Sequence, residues 1–267
     1  MAQQALPDRE ARLGRAMGAA AGAAANAVVL LLPGGGVARS VRRRSPVAAA
    51  QAFPLARRLV RAAREESLVA HVVHYRYRGW NGDAAHPARD AEWALDETVR
   101  RYGDVPVCLV GVDVGARAAL RAAGHPAVTS VLALGTWLPG PGDEPEGAGA
   151  GSGTGSRPEP EPVKQLAGRS VLMVHGTDDV RTDPELSYRL AERAKKINAD
   201  VCRFEVHSDG HGLRQHHAEV VALAQDFVLG TLCGRDFARP LTDAMAAPPP
   251  LGLRMPLASG FGKSLRA

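Results

Sequence analysis

The chain holds three cysteines, Cys108, Cys202 and Cys233, no two of them close and none in a C-x-x-C pair. That excludes a disulfide framework and a structural zinc site, and it fits a reducing cytoplasm. Cys108 and Cys202 fall inside apolar, strand-like runs and read as core thiols. Aromatic residues are only 4% of the 267, and alanine and arginine stand where bulkier residues would. No uncharged stretch is apolar enough to span a membrane. The nearest is "RAMGAAAGAAANAVVLLL", Arg15 to Leu32, which begins like a secretory signal. Asp8 and Glu10 dilute the positive charge ahead of it, and its most apolar part runs directly into "PGGG", so a cytoplasmic protein is expected. No internal repeat occurs.

What is present is a globular balance: 45% hydrophobic and 23% charged residues, on a length that suits one large α/β domain with a full core. The net charge is +5, with the arginines scattered apart from "RSVRRRS", Arg39 to Ser45. This reads as a solvated basic surface, so neither nucleic acid nor membrane is expected as a partner. Arg39, Arg42, Arg43 and Arg44 keep a second reading, as a clamp for an anionic group.

Six short aliphatic runs alternate with helical patterns: Ala27–Leu32, Leu68–Tyr75, Val107–Gly111, Val128–Leu134, Ser170–His175 and Val201–Val206. Near-continuous apolar runs are strands buried on both faces, which predicts a mostly parallel sheet with helices on both sides. Helices are expected at Arg89–Tyr102, Val114–Ala123, Pro184–Lys196 and His217–Leu229; Asp183 and Pro184 supply an N-cap and first helical residue for the third. Residues 1–24 are expected as a helical or flexible segment, 25–234 as the domain, and 235–267 as an irregular tail. Gly140 to Pro162, built from Gly, Pro, Ser, Thr, Ala and charged residues, cannot bury apolar surface and reads as a flexible loop.

Chemistry gathers just beyond four strand ends, where open α/β sheets place their sites. In chain order these are "LLPGGG" (Leu31–Gly36), "GVDVG" (Gly111–Gly115), "VHGTDD" (Val174–Asp179) and "HSDGHGL" (His207–Leu213). The second is a strand turning sharply into a helix, with Asp113 exposed at its apex between two small residues. With "YRGWNG" (Tyr77–Gly82), "RAALRAAGHP" (Arg117–Pro126) and "WLP" (Trp137–Pro139), the pattern resembles the small, capless α/β-hydrolases typical of high-GC actinobacteria. The resemblance covers roughly residues 25 to 232.

It implies a three-layer α/β-hydrolase fold without a cap domain and a catalytic triad. Asp113 stands where the family's nucleophile elbow usually carries serine. Asp179 takes the place of the acid in H-G-x-x-D, with Asp178 as its close competitor, and His211 that of the general base. Backbone amides of Gly34, Gly35 and Val114 correspond to the oxyanion hole, although Pro33 replaces the usual histidine and a plain glycine loop is the alternative. Trp80 and Trp137 are candidate substrate-lining residues.

An aspartate at the elbow has two readings. On this fold, haloalkane dehalogenases and epoxide hydrolases use such a carboxylate to form an alkyl ester, which a histidine-activated water hydrolyses. The chain departs from both: Gly140–Pro162 offers no cap tyrosines, and Val114, not tryptophan, follows Asp113. In the other reading Asp113 has disabled a serine-type frame, leaving a binding or scaffold protein. The expected protein is therefore a hydrolase of a small ester, epoxide or halide, without cofactor or metal, acting on a small-molecule substrate as a monomer or homodimer.

Overall fold

The computed structural model describes residues 9–18, 24–37, 42, 49–140 and 160–262. The six apolar runs form the parallel body of one sheet: β3 (Ala27–Leu32), β4 (Leu68–His74), β5 (Val107–Val112), β6 (Val128–Leu134), β7 (Ser170–Gly176) and β8 (Val201–Val206). Three shorter strands complete it: β1 (Arg12–Leu13), β2 (Met17–Gly18) and β9 (Met255–Pro256). The order is β1-β4-β3-β5-β6-β7-β8-β9, with β2 also on β4. The chain goes outward from β3 to β4 and then returns to the other side of β3 as β5. The loops after β3 and β5 therefore diverge and leave a crevice between them.

Side chains alternate across the sheet. Val28, Leu30 and Leu32 of β3 enter one core with Leu109, Ala119 and Leu190; Val29 and Leu31 enter the other with Val110, Leu223 and Phe227. The first core lies under α2 (His86–Tyr102), α3 (Val114–Ala122) and α4 (Pro184–Lys195), the second under α1 (Phe53–Ala62) and α5 (His217–Cys233). Each of the six long strands is buried on both faces, which is why its sequence reads as a nearly continuous apolar run. Burial pushes the Cys108 thiol up to about 12, as suits an inert core group.

Two expectations need correction. The N-terminal segment, in its described part, is neither helical nor flexible: β1 and β2 pair antiparallel with β4 and cover its edge. His71, buried in β4, fastens this segment by donating from Nδ1 to the Gly14 carbonyl at 2.8 Å while Nε2 accepts from Tyr102 at 2.7 Å. The tail is not irregular: it carries α6 (Arg239–Ala246) and β9. Leu241 and Ala244 are buried against the core, and the Arg203 guanidinium, buried in β8, donates to Leu253 O at 3.0 Å. Helix α1 was not foreseen, although Phe53, Ala56, Leu59 and Val60 set an apolar stripe against the second core and Arg57, Arg58 and Arg61 are exposed.

Of the stretch 140–162, residues 141–159 lie outside the described residues. Its end is strongly anchored. Glu161 accepts from both Arg117 (2.9 and 2.9 Å) and Arg121 (2.5 and 3.1 Å) of α3, and its carbonyl accepts from Arg193 at 2.8 Å. Arg117 also lies 4.0 Å over the Trp80 ring and 4.8 Å from that of Trp137. Removing Glu161 leaves the buried Arg117 guanidinium without its counter-charge. Glu161→Ala is therefore expected to cost about 3–5 kcal/mol, read as a lower urea midpoint; an unchanged midpoint would show that the pair adds nothing.

Candidate functional site

Strand β5 ends at the elbow. Asp113 has φ 56° and ψ −121°, a strained backbone for a residue with a Cβ. Its neighbours hold it there. The Asp113 N–H donates to Leu134 O at 2.9 Å, and its carbonyl accepts from Ala116 N at 3.1 Å and Trp137 N at 3.2 Å. The two glycines are required by close approach. A Cβ on Gly111 would lie 2.3 Å from Gly115 O, and one on Gly115 would lie 2.0 Å from Leu32 O. The start of α3 thus rests directly on the backbone at the end of β3, and Asp113 faces the glycine loop across the crevice.

The Asp113 carboxylate is buried and its two oxygens differ. Oδ2 accepts from the Gly35 N–H at 3.2 Å and lies 3.8 Å from Arg181 Nη2. Oδ1 is shut off from solvent and receives no well-formed hydrogen bond; His211 Nε2 stands 3.4 Å away. Gly34 packs against the same side chain, and Val114 opens α3, where amides lack helical partners.

His211 is presented by the loop after β8. Buried Asp209 shapes that loop, accepting from the amides of Gly210 (2.9 Å), Arg214 (3.0 Å) and His216 (3.0 Å). His211 Nδ1 then donates to Asp179 Oδ2 at 2.8 Å, which leaves Nε2 facing Asp113. Asp179, beyond β7, has a fully buried carboxylate that takes four hydrogen bonds. Oδ1 accepts from the amides of Arg181 (2.8 Å) and Thr182 (3.1 Å), and Oδ2 from His211 and from His175 Nε2 at 3.0 Å. Burial alone would push its pKa up, but donation from His175, His211 and the Arg181 amide outweighs this and holds it well below the usual carboxylate range. The His211 pKa is raised. The adjacent Asp113 carboxylate is the largest cause, burial opposes it, and Asp179 adds to the rise.

The structure thus gathers Asp113, Asp179 and His211, with Gly34 and Gly35 beside the Asp113 carboxylate and Val114 next in the chain at the start of α3. Asp178 is exposed and accepts only from Thr177, so it is not the carboxylate on His211. Trp80 is 3% exposed with the Arg117 guanidinium over its ring; it packs against Ala85 and Ala88 at the start of α2 and against Val114 and Ala118 of α3, and offers no open lining surface. Trp137 is half-buried beside it and tied to the elbow through its backbone. Of the basic run, only Arg42 is described, and Arg39, Arg43 and Arg44 lie outside the described residues. Among the described residues, no group of His, Cys, Asp and Glu is arranged to hold a metal ion, and no helix is long and apolar enough to cross a membrane.

Two contributors escaped the sequence reading. His175 lies inside the H-G-x-x-D motif itself, where a strand-end histidine gives no sign that it points at the acid. Arg181 is one of many surface arginines, and only folding sets it beside Asp113.

No family model matches the chain, and no curated protein matches it in sequence. Solved structures do match. The esterase PE8 aligns with a TM-score of 0.57 at 18% identity, over 83% of this chain and 100% of its own. An esterase of Pyrococcus furiosus aligns with a TM-score of 0.56 at 14% identity, over 78% and 82%. A thermophilic esterase of Thermogutta terrifontis, solved with propionate bound, aligns with 0.57 at 16% identity, over 87% and 98%. The chain therefore has the α/β-hydrolase fold.

Because Asp113 is the first cause of the raised His211 pKa, Asp113→Asn is expected to make His211 titrate at lower pH than in the parent. The His211 ring-proton resonances in an NMR pH titration report this. A pKa that stays put or rises would mean that Asp113 does not govern the histidine.

Proposed function

We propose that this chain, with its α/β-hydrolase fold, is a hydrolase that works through a covalent ester on Asp113, with His211 as base and Asp179 as its orienting carboxylate. One observation carries the reading: the Asp113 carboxylate has one oxygen held by the Gly35 amide and the other, Oδ1, buried without a hydrogen bond. With no well-formed hydrogen bond among the described residues and only His211 Nε2 at 3.4 Å, Oδ1 keeps a lone pair for attack, and a carboxylate needs no base to expose it at neutral pH. The substrate is a small molecule with an sp³ electrophile, a halide or an epoxide, since a carboxylate displaces at such a carbon.

In the first step Oδ1 forms a bond to carbon while the bond to the leaving group breaks, its electron pair departing as halide or as the opened epoxide oxygen, which takes a proton from water. Esterification removes the charge on Asp113, the largest cause of the raised His211 pKa, and so weakens the hold of His211 on a proton at Nε2. His211 then loses that proton to solvent and becomes a base at the stage where one is needed. It takes a proton from water, and the oxygen adds to the Asp113 carboxyl carbon. Charge develops on Oδ2, which already lies on the Gly35 N–H beside the start of α3. The adduct collapses to free carboxylate and alcohol, and His211 returns the proton to the departing oxygen. No cofactor enters the balance.

The second reading, an impaired hydrolase that serves as a binding protein, has one observation in its favour. Asp113 fills the amide that an acyl oxyanion would need, so ordinary esterase chemistry is blocked in the native chain. The two readings part in a trapping experiment. Losing a general base slows hydrolysis by about 10²–10⁴-fold, so His211→Gln protein incubated with a panel of alkyl halides and epoxides is expected to gain the mass of one epoxide, or of one alkyl halide less its hydrogen halide, mapped to Asp113 by peptide mass spectrometry. No adduct across the panel sinks the covalent reading. In addition, Asp113→Ser is expected to create activity on an activated ester that the parent lacks, because it frees the Gly35 N–H and supplies a hydroxyl next to His211.

A further inference from the structure

Arg181 takes no part in the steps above, yet it stands at the site. Its backbone is fixed, since its N–H donates to Asp179 Oδ1 at 2.8 Å, so the carboxylate that orients His211 also sets where this side chain leaves the loop. The guanidinium reaches back to Asp113, with Nη2 3.8 Å from Oδ2. That distance is an ion-pair contact and too long for a hydrogen bond. Among the described residues it has no other side-chain partner, and the side chain is 57% exposed. A planar fork of N–H donors therefore faces outward beside a buried nucleophile with its hydrogen-bonding capacity unspent. Next to it Val180 is 97% exposed, an apolar side chain at the rim where solvent-facing residues are usually polar.

We infer that Arg181 is a specificity-determining residue that binds a carboxylate of the substrate, so that the chain acts on short acids bearing the leaving group near their carboxylate. This rests on Asp113 as nucleophile. Guanidinium and carboxylate match in a two-point, charge-assisted arrangement that a neutral amide or alcohol does not reproduce. Arg181 lies within 4 Å of one Asp113 oxygen, and the reacting carbon must come to about 3–3.5 Å of the other. A carboxylate on Arg181 and that carbon are therefore only a few bonds apart. The substrate charge then enters a site where Arg181 lies against the Asp113 carboxylate and offsets its charge. The reaction is the displacement already balanced above: Oδ1 bonds to the carbon as halide leaves with its electron pair, and the carboxylate on Arg181 is unchanged.

Two measurements test this, one independent of chemistry. In the Asp113→Asn protein, binding of propionate and of propionamide is followed by NMR titration. Propionate is expected to bind at least tenfold more tightly, and adding Arg181→Gln is expected to bring the two ligands level. Equal binding in Asp113→Asn, or propionate binding unaffected by Arg181→Gln, overturns the inference. In the His211→Gln protein, 2- and 3-bromopropionate are compared with the corresponding amides as labels of Asp113. At least one acid is expected to label at least tenfold faster than its amide, and Arg181→Gln to remove that preference. Equal labelling by acids and amides overturns the role of Arg181 while leaving the nucleophile in place. No labelling by any of them, with propionate binding still dependent on Arg181, overturns the nucleophile and leaves the carboxylate site standing.

Discussion

The backbone of Asp113 is bent into a region that a residue with a Cβ occupies only under constraint, and the site is arranged around that bend. The bend survives because strand ends on both sides meet it. Leu134 of β6 accepts its N–H, and the start of α3 lies so close to Leu32 of β3 that Gly115 has no room for a side chain. Strain of this kind costs of order 1–3 kcal/mol, met by a sheet whose six long strands are buried on both faces. The return places a side chain at the topological switch between β3 and β5, where the glycine loop can offer its amides.

Charge then orders the rest. Asp179 takes four hydrogen bonds in a fully buried position, so it stays ionised although burial alone favours its neutral form. Fixed and charged, it holds the Nδ1 side of His211 and directs Nε2 to Asp113. His175 shares the same carboxylate oxygen and lacks a partner at Nδ1, so it donates from Nε2 and helps to keep the acid in one orientation. Two carboxylates flank one histidine, and consuming the charge of one changes what the histidine can do. A serine at the elbow would offer no such coupling. In the mechanism proposed above, forming the ester on Asp113 would itself release the base.

Legibility in the sequence followed local physics. The parallel body of the sheet was readable to within a residue at strand ends, because burial on both faces leaves continuous aliphatic runs. The elbow was readable because a strand, two flanking glycines and a helix are consecutive in the chain. The short edge strands and α6 were not, since their apolar residues are few and gain meaning only against a core built elsewhere. His71 and Arg203, both polar and both deeply buried, tie those ends down by hydrogen bonds to distant carbonyls.

The sequence by itself determined the layers of the fold and the candidates Asp113, Asp179 and His211, each just beyond the end of a predicted strand. Three matters waited for tertiary structure: which of two adjacent aspartates faces the histidine, which Asp113 oxygen is held, and which arginine stands at the mouth. They are set by contacts between residues 32 to 78 positions apart, as with His211 to Asp179 and Gly35 to Asp113. Local pattern carries no record of such distances, because side-chain direction at a loop is fixed by what the loop packs against. Asp178 and Asp179 are neighbours in the chain, and only the turn that buries one of them tells them apart.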